Sequence, residues 1–230
     1  MTTIADNLQA VHARVDAACV ASGRAVNSVT LLAVSKTFSV GEIEQAIAAG
    51  QTCMGENYIQ EAVEKILVLG HNSVQWHCIG PVQSNKTRLV AEHFDWVQSV
   101  DRLKIAQRLS EQRPADLPPL QICIQVNTDG GANKAGVAPD ELPALAHAVA
   151  RLPRLTLRGL MSIPEPVSDF AAATALHSRA RRLMDGLIAD GLQLDTLSMG
   201  MSADLEAAIH AGSTMVRVGT AIFGGRQRPA

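Results

Sequence analysis

Lys36 directly follows the apolar run LLAVS (31–35), and that placement is the first chemical signal in this 230-residue chain. A lysine at the end of a buried strand is desolvated, and desolvation lowers an amine's pKa. A neutral amine attacks a carbonyl to form a Schiff base. The plain alternative is a lysine that carries its ammonium out to solvent along its apolar stem. A second signal lies near the C-terminus, in SMGMS (198–202) and in Arg217-Val218-Gly219-Thr220. Ser202 precedes a helix predicted to begin near Ala203, so its hydroxyl and the free backbone N–H groups of that N-terminus can hold an anion. Gly219 allows close approach of the backbone. Ordinary capping and an ordinary turn glycine are the alternatives here. Arg217 falls on the inward phase of its strand, where a buried guanidinium needs an acceptor, either an aromatic ring nitrogen or a buried carboxylate.

Residues so far apart in sequence meet only if the fold returns them to one mouth. Short β-branched runs alternate with Ala/Leu/Glu-rich segments of helical period. Strands are predicted at 29–35, 52–55, 76–80, 96–100, 120–127, 155–161, 194–200 and 214–219. A first amphipathic stretch covers about 3–22, and helices are predicted near 40–49, 57–69, 84–92, 102–112, 139–151, 169–190 and 203–211. Ser39 and Glu42 have capping-box spacing, with Gly50 as the stop. Pro139, Asp140 and Glu141 fit a first helical turn. No linker divides the chain, and the irregular stretch TDGGANKAG (128–136) falls between a strand and a helix. The expected fold class is α/β: a single (β/α)8 TIM-type barrel with an extra N-terminal helix, one domain over 1–230. An open doubly wound sheet is the competitor, but the turn after the first strand, SKTFS, lacks the GxGxxG of that fold.

A barrel builds its site from the C-terminal ends of its strands. In this chain those ends carry Lys36, Glu56-Asn57-Tyr58, His77, Ser99 and Asp101, Asn127, Met161-Ser162, Ser202, Arg217 and Gly219-Thr220. Composition narrows the partners. Lys+Arg number 20 against 22 Asp+Glu, a net charge of −2, which gives no basic stripe for nucleic acid. The N-terminal residues lack a secretory pattern, no apolar run is long enough to span a membrane, and the scattered Cys19, Cys53, Cys78 and Cys123 have no metal-ligand spacing. A cytoplasmic protein with reduced thiols and no metal site is expected.

An imine-forming lysine facing a phosphate cradle suits either a Schiff-base aldolase for a sugar phosphate or a protein that holds pyridoxal 5′-phosphate (PLP) as an internal aldimine. The segments LLAVSKT, MGENYIQEA, WHCIGPVQSNK, SVDR, GLMSIPEP, LSMGMSADLEAAI and VRVGTAIFG resemble the pyridoxal phosphate homeostasis protein family, in order and over nearly the whole chain. The resemblance implies a barrel similar to that of bacterial alanine racemase, in which Lys36 binds PLP as an aldimine. It implies that Ser202, Gly219 and Thr220 hold the phosphate, that Arg217 faces the pyridine nitrogen, and that Asn57, His77 and Met161 line the pocket. Two departures stand out. Cys78 replaces a usual phenylalanine, expected to loosen the pocket wall, and Gly130-Gly131 replace polar residues, expected to make their loop more mobile.

An arginine only donates, so a ring nitrogen facing Arg217 stays unprotonated and is a weaker electron sink. Alanine racemase compensates with a second base, a tyrosine from a β-rich second domain of its partner subunit. No such domain is found in this sequence, and its one tyrosine, Tyr58, opens a helix. The resemblance therefore implies a monomer of vitamin B6 homeostasis that stores PLP or delivers it to PLP-accepting apoenzymes, without robust catalysis. A PLP-dependent amino-acid racemase-like enzyme and a PLP-free aldolase remain the alternatives.

Overall fold

Eight parallel strands close on themselves in sequence order, each hydrogen-bonded to the next and the last to the first. The computed structural model describes residues 2–130 and 135–225. The strands are β1 (Thr30–Val34), β2 (Cys53–Glu56), β3 (Gln75–Cys78), β4 (Trp96–Val100), β5 (Leu120–Gln125), β6 (Leu155–Met161), β7 (Thr196–Ser198) and β8 (Met215–Val218). Their runs are nearly continuous in apolar character because parallel strands are covered on both faces. The TIM-type (β/α)8 expectation holds.

Helix α1 (Ile4–Ala21) precedes the barrel, and α2 (Val40–Ala48), α3 (Ile59–Leu69), α4 (Thr87–His93), α5 (Leu103–Gln112), α6 (Leu142–Ala150), α7 (Phe170–Ala189) and α8 (Leu205–His210) follow successive strands. A short α9 (Thr220–Phe223) follows β8. The capping box at Ser39 is formed: its hydroxyl accepts from the Glu42 N–H, and Glu42 Oε2 accepts from the Ser39 N–H at 2.7 Å. Helix α6 begins later than expected. The Ala138 carbonyl accepts from the N–H groups of both Glu141 and Leu142, so Pro139–Glu141 form a turn ahead of it, and Pro143 takes the first helical turn. Residues 131–134 of the β5 loop lie outside the described residues, and the expectation of a mobile loop at Gly130-Gly131 falls partly on them.

Cross-strand register sets which side chains face the barrel interior. Leu32 pairs with Arg217, Gly55 with His77, His77 with Trp96, and Met161 with Ser198. These positions share the inner face, and the intervening residues pack outward against the helices. Trp96, Cys123 and Met161 make one apolar group, and Leu32, Cys53 and Met215 make another. Helix α1 lies across α8 and α9. Asn7 Nδ2 donates to the Ile222 carbonyl at 2.9 Å, and Arg14 donates to both Glu206 oxygens and to the Ser202 carbonyl. The N-terminal helix thus braces the two loops that follow β7 and β8.

Candidate functional site

A cavity of ≈ 310 Å³ opens at the C-terminal ends of the strands, within the roughly 300–1,000 Å³ range of small-molecule sites. Its wall brings together Lys36 after β1, Asn57 after β2, Ser202 after β7, and Arg217, Gly219 and Thr220 from β8 and α9. Val34, Phe38, Ile79, Ile163, Met201 and Ala203 complete the lining. Six of the eight expected site residues therefore share one cavity.

The other two do not line it. His77 is fully buried and stacks on Trp96 with ring centroids 5.0 Å apart, and Met161 packs beside the same indole. Both point inward as expected, but one layer deeper, because the strands end in a barrel filled by stacked side-chain layers. His77 nonetheless connects to the cavity. Arg217 Nη1 donates to Ser198 Oγ at 2.8 Å, Ser198 Oγ donates to Gln98 Oε1 at 2.7 Å, and Gln98 Nε2 donates to His77 Nδ1 at 2.9 Å. A neutral imidazole is required at the end of this chain, since Nδ1 must accept. Burial alone pushes the His77 pKa down to about 3, which keeps it neutral. Ser198 and Gln98 were not singled out in the sequence. Their signal was available: each is a polar residue at an inward position of its strand.

Arg217 is buried and, among the described residues, meets no carboxylate directly. Its second anchor is the Ser162 carbonyl, 2.9 Å from Nη2. Burial lowers its pKa to about 10, with the Asp204 carboxylate opposing the shift, so the guanidinium stays charged at neutral pH. A guanidinium fixed from behind by a hydroxyl and a carbonyl presents donors, never acceptors, to the cavity.

The β7 loop differs from expectation in its capping. Helix α8 begins at Leu205 with Asp204 at its N-cap, and Ser202 sits in the turn before it. Neither side chain caps α8, because the Asp204 carboxylate is engaged elsewhere. Oδ1 accepts from the Met201 N–H at 2.6 Å, and Oδ2 meets His177 Nε2 at 2.9 Å. Burial works to raise the Asp204 pKa, but these hydrogen bonds outweigh it and leave the pKa lowered. Gly200 has φ +93°, and an added Cβ would lie 2.5 Å from the Ala208 Cβ. Gly219 brings its backbone so near β1 that a Cβ would lie 3.0 Å from the Val34 carbonyl oxygen. On this wall α9 opens with the N–H groups of Thr220 and Ala221, ahead of those of Ile222 and Phe223, which donate to the Gly219 carbonyl.

Asn57 supplies an unfilled acceptor: its Oδ1 is buried without a hydrogen-bond partner among the described residues. It is held by close backbone packing, since a Cβ on Gly80 would stand 2.2 Å from the Asn57 carbonyl oxygen. Cys78 does not reach the cavity. It points outward into the main core, its Sγ toward the Gly80 carbonyl, and burial drives its pKa to about 12. Its expected loosening of the pocket wall is corrected accordingly. Tyr58 sits at the start of α3, about half exposed and outside the cavity lining. All four cysteines are free and buried. Among the described residues no group of three or more His, Cys, Asp or Glu side chains is placed to hold a metal, and no helix is long and apolar enough to cross a membrane.

A family profile described as the alanine racemase N-terminal domain matches residues 5–227. The pyridoxal phosphate homeostasis protein of Pseudomonas aeruginosa is 59% identical over 226 residues, 98% of this chain and 97% of that one. The chain belongs to this family. The Escherichia coli K12 member is 53% identical over 229 residues, 98% of each chain. Among solved structures, family member PipY of Synechococcus elongatus with PLP bound superposes with a TM-score of 0.83 at 36% identity, over 96% of this chain and all of that one. Alanine racemase from Corynebacterium glutamicum shares the fold, with a TM-score of 0.68 at 17% identity, and this chain covers 60% of its length.

Proposed function

We propose that this chain holds pyridoxal 5′-phosphate in the cavity bounded by Lys36 and Arg217 and serves as an intracellular store or donor of it. The observation that carries the reading is that these two residues, 181 positions apart, line one small-molecule cavity. Bound there, PLP supplies an aldehyde that condenses with the Lys36 amine to a C=N bond with loss of water. Ser202, Gly219 and Thr220 receive the phosphate with hydroxyls and backbone N–H groups. Asn57 Oδ1 accepts from a ring hydroxyl, which relieves its buried and unfilled state. Arg217 donates to the ring nitrogen and, being permanently charged, keeps a proton off it.

The choice of carriage over catalysis rests on what accompanies Lys36. Racemisation needs a second base on the opposite face of the substrate, and among the described lining residues Arg217 is the one other charged side chain. Tyr58 stands outside the cavity lining. The fold, family membership and the PLP carried by PipY support this reading together.

The test is an absorption spectrum of the purified protein with added PLP, followed by borohydride reduction and peptide mapping. A violet band that reduces onto the peptide containing Lys36, and that is missing in Lys36→Ala, is the expected result. A colourless protein that traps a sugar phosphate instead would establish the aldolase alternative. Scrambling of a labelled amino acid at catalytic rates would establish the racemase.

A further inference from the structure

Thr37 has φ 68°, the left-handed region that β-branched residues rarely occupy. It stands immediately after Lys36, so a strained turn carries the reactive lysine. Its N–H donates to Glu61 Oε1 at 2.6 Å, from α3. The same oxygen accepts from Lys65 Nζ at 2.5 Å. Lys65 is nearly fully buried. An ammonium has three donors, and Lys65 spends the other two on Glu56 Oε1 at 2.8 Å and the Ser35 carbonyl at 2.9 Å. Ser35 Oγ closes the cluster by donating to Glu56 Oε1 at 2.7 Å. Both neighbours of Lys36 are therefore tied, through one buried cation and two carboxylates, to the end of β2 and the first turns of α3.

None of these groups lines the cavity. The cluster lies on the outer side of β1, behind the lysine. A buried charge cluster is costly to desolvate and adds little net stability, whereas its directional hydrogen bonds fix the geometry of the turn they meet. We propose that Lys65 and Glu61 are positioning residues for Lys36: they hold the strained Ser35–Thr37 turn so that the amine is aimed into the cavity. This inference rests on the assignment of Lys36 as the residue that binds PLP.

The test separates aiming the amine from building the pocket. Pyridoxine 5′-phosphate carries the ring and phosphate of PLP without its aldehyde, so it reports on the pocket but not on covalent attachment. Glu61→Ala and Lys65→Met are compared with the unaltered protein for the rate of appearance of the violet band and for pyridoxine 5′-phosphate affinity. Misplacing an attacking atom is steeply penalised, so attachment should slow by about tenfold or more while affinity for the alcohol stays within about twofold. Should Lys65→Met fail to fold, because it strands two carboxylates, Glu61→Ala carries the test alone, its carboxylate being one-third exposed. Unchanged attachment, or an equal fall in attachment and alcohol affinity, overturns the proposal. Absence of Lys36 attachment in the unaltered protein overturns the PLP assignment itself, and this inference with it.

Discussion

Arg217 illustrates how a single side chain is prepared by its surroundings. A buried guanidinium without a carboxylate is costly unless its donors are filled, and Ser198 Oγ and the Ser162 carbonyl fill two of them. The cavity side is where a ligand acceptor completes the set. Arg217→Met removes a charge-assisted hydrogen bond to the ring nitrogen, a loss of about 1.5–3 kcal/mol. PLP affinity should fall by about ten- to hundredfold, as read by fluorescence titration. Lys36 attachment should survive, because the amine is untouched. An affinity equal to that of the unaltered protein would mean that Arg217 serves the barrel and not the ligand.

The loop after β7 shows the same logic at the level of an element. Its shape depends on Gly200, whose φ of +93° and 2.5 Å Cβ clearance to Ala208 exclude a side chain, and on Asp204, which holds the Met201 N–H and His177. Gly200→Ala should cost about 1–3 kcal/mol of stability and displace Ser202, weakening affinity for pyridoxine 5′-phosphate. Urea unfolding and ligand titration read the two effects separately, and a fully stable variant would contradict the steric account. Much of the element pattern was legible in the sequence. Each predicted strand overlaps an observed one, because two-sided burial writes a strong apolar run. What the sequence did not reveal was the depth of a residue within the barrel. His77 and Met161 have the correct inward phase, yet strand length alone does not say which layer of side chains forms the cavity floor. Nor did it reveal that α8 would begin two residues later, with Asp204 at its N-terminal boundary and Ser202 in the turn before it. Both residue types are good N-caps, but the Asp204 carboxylate is drawn instead to His177, a tertiary partner 27 positions away. The Glu56–Lys65–Glu61 cluster was equally hidden, since the sequence spacing of Glu61 and Lys65 reads as a surface pair four residues apart.

At the scale of the whole molecule, the chain of hydrogen bonds from Arg217 to His77 couples the cavity to the protein's response to acid. His77 is fully buried and neutral, with its pKa pushed from an ordinary 6.5 to about 3 by burial. In the unfolded chain it takes up a proton below about pH 6.5, whereas in the fold it does so only near pH 3. Between those values the unfolded state binds more protons, so stability is complete above pH 6.5 and declines as the pH falls. The contribution approaches about 1.4 kcal/mol per pH unit through that window. His77→Gln has no ionisation there and keeps a polar group toward Gln98. Urea midpoints of the two proteins, measured from pH 8 to pH 4, should run parallel above pH 7 and converge or cross below 6, as the unaltered protein loses more. A constant difference across the range would show that His77 does not titrate on unfolding as its burial requires. Protonation of His77 would also remove the acceptor for Gln98, and through Ser198 the support behind Arg217. Because that protonation comes only near pH 3 in the fold, PLP affinity should hold between pH 8 and pH 4 as far as His77 is concerned, and weaken through this chain only near pH 3.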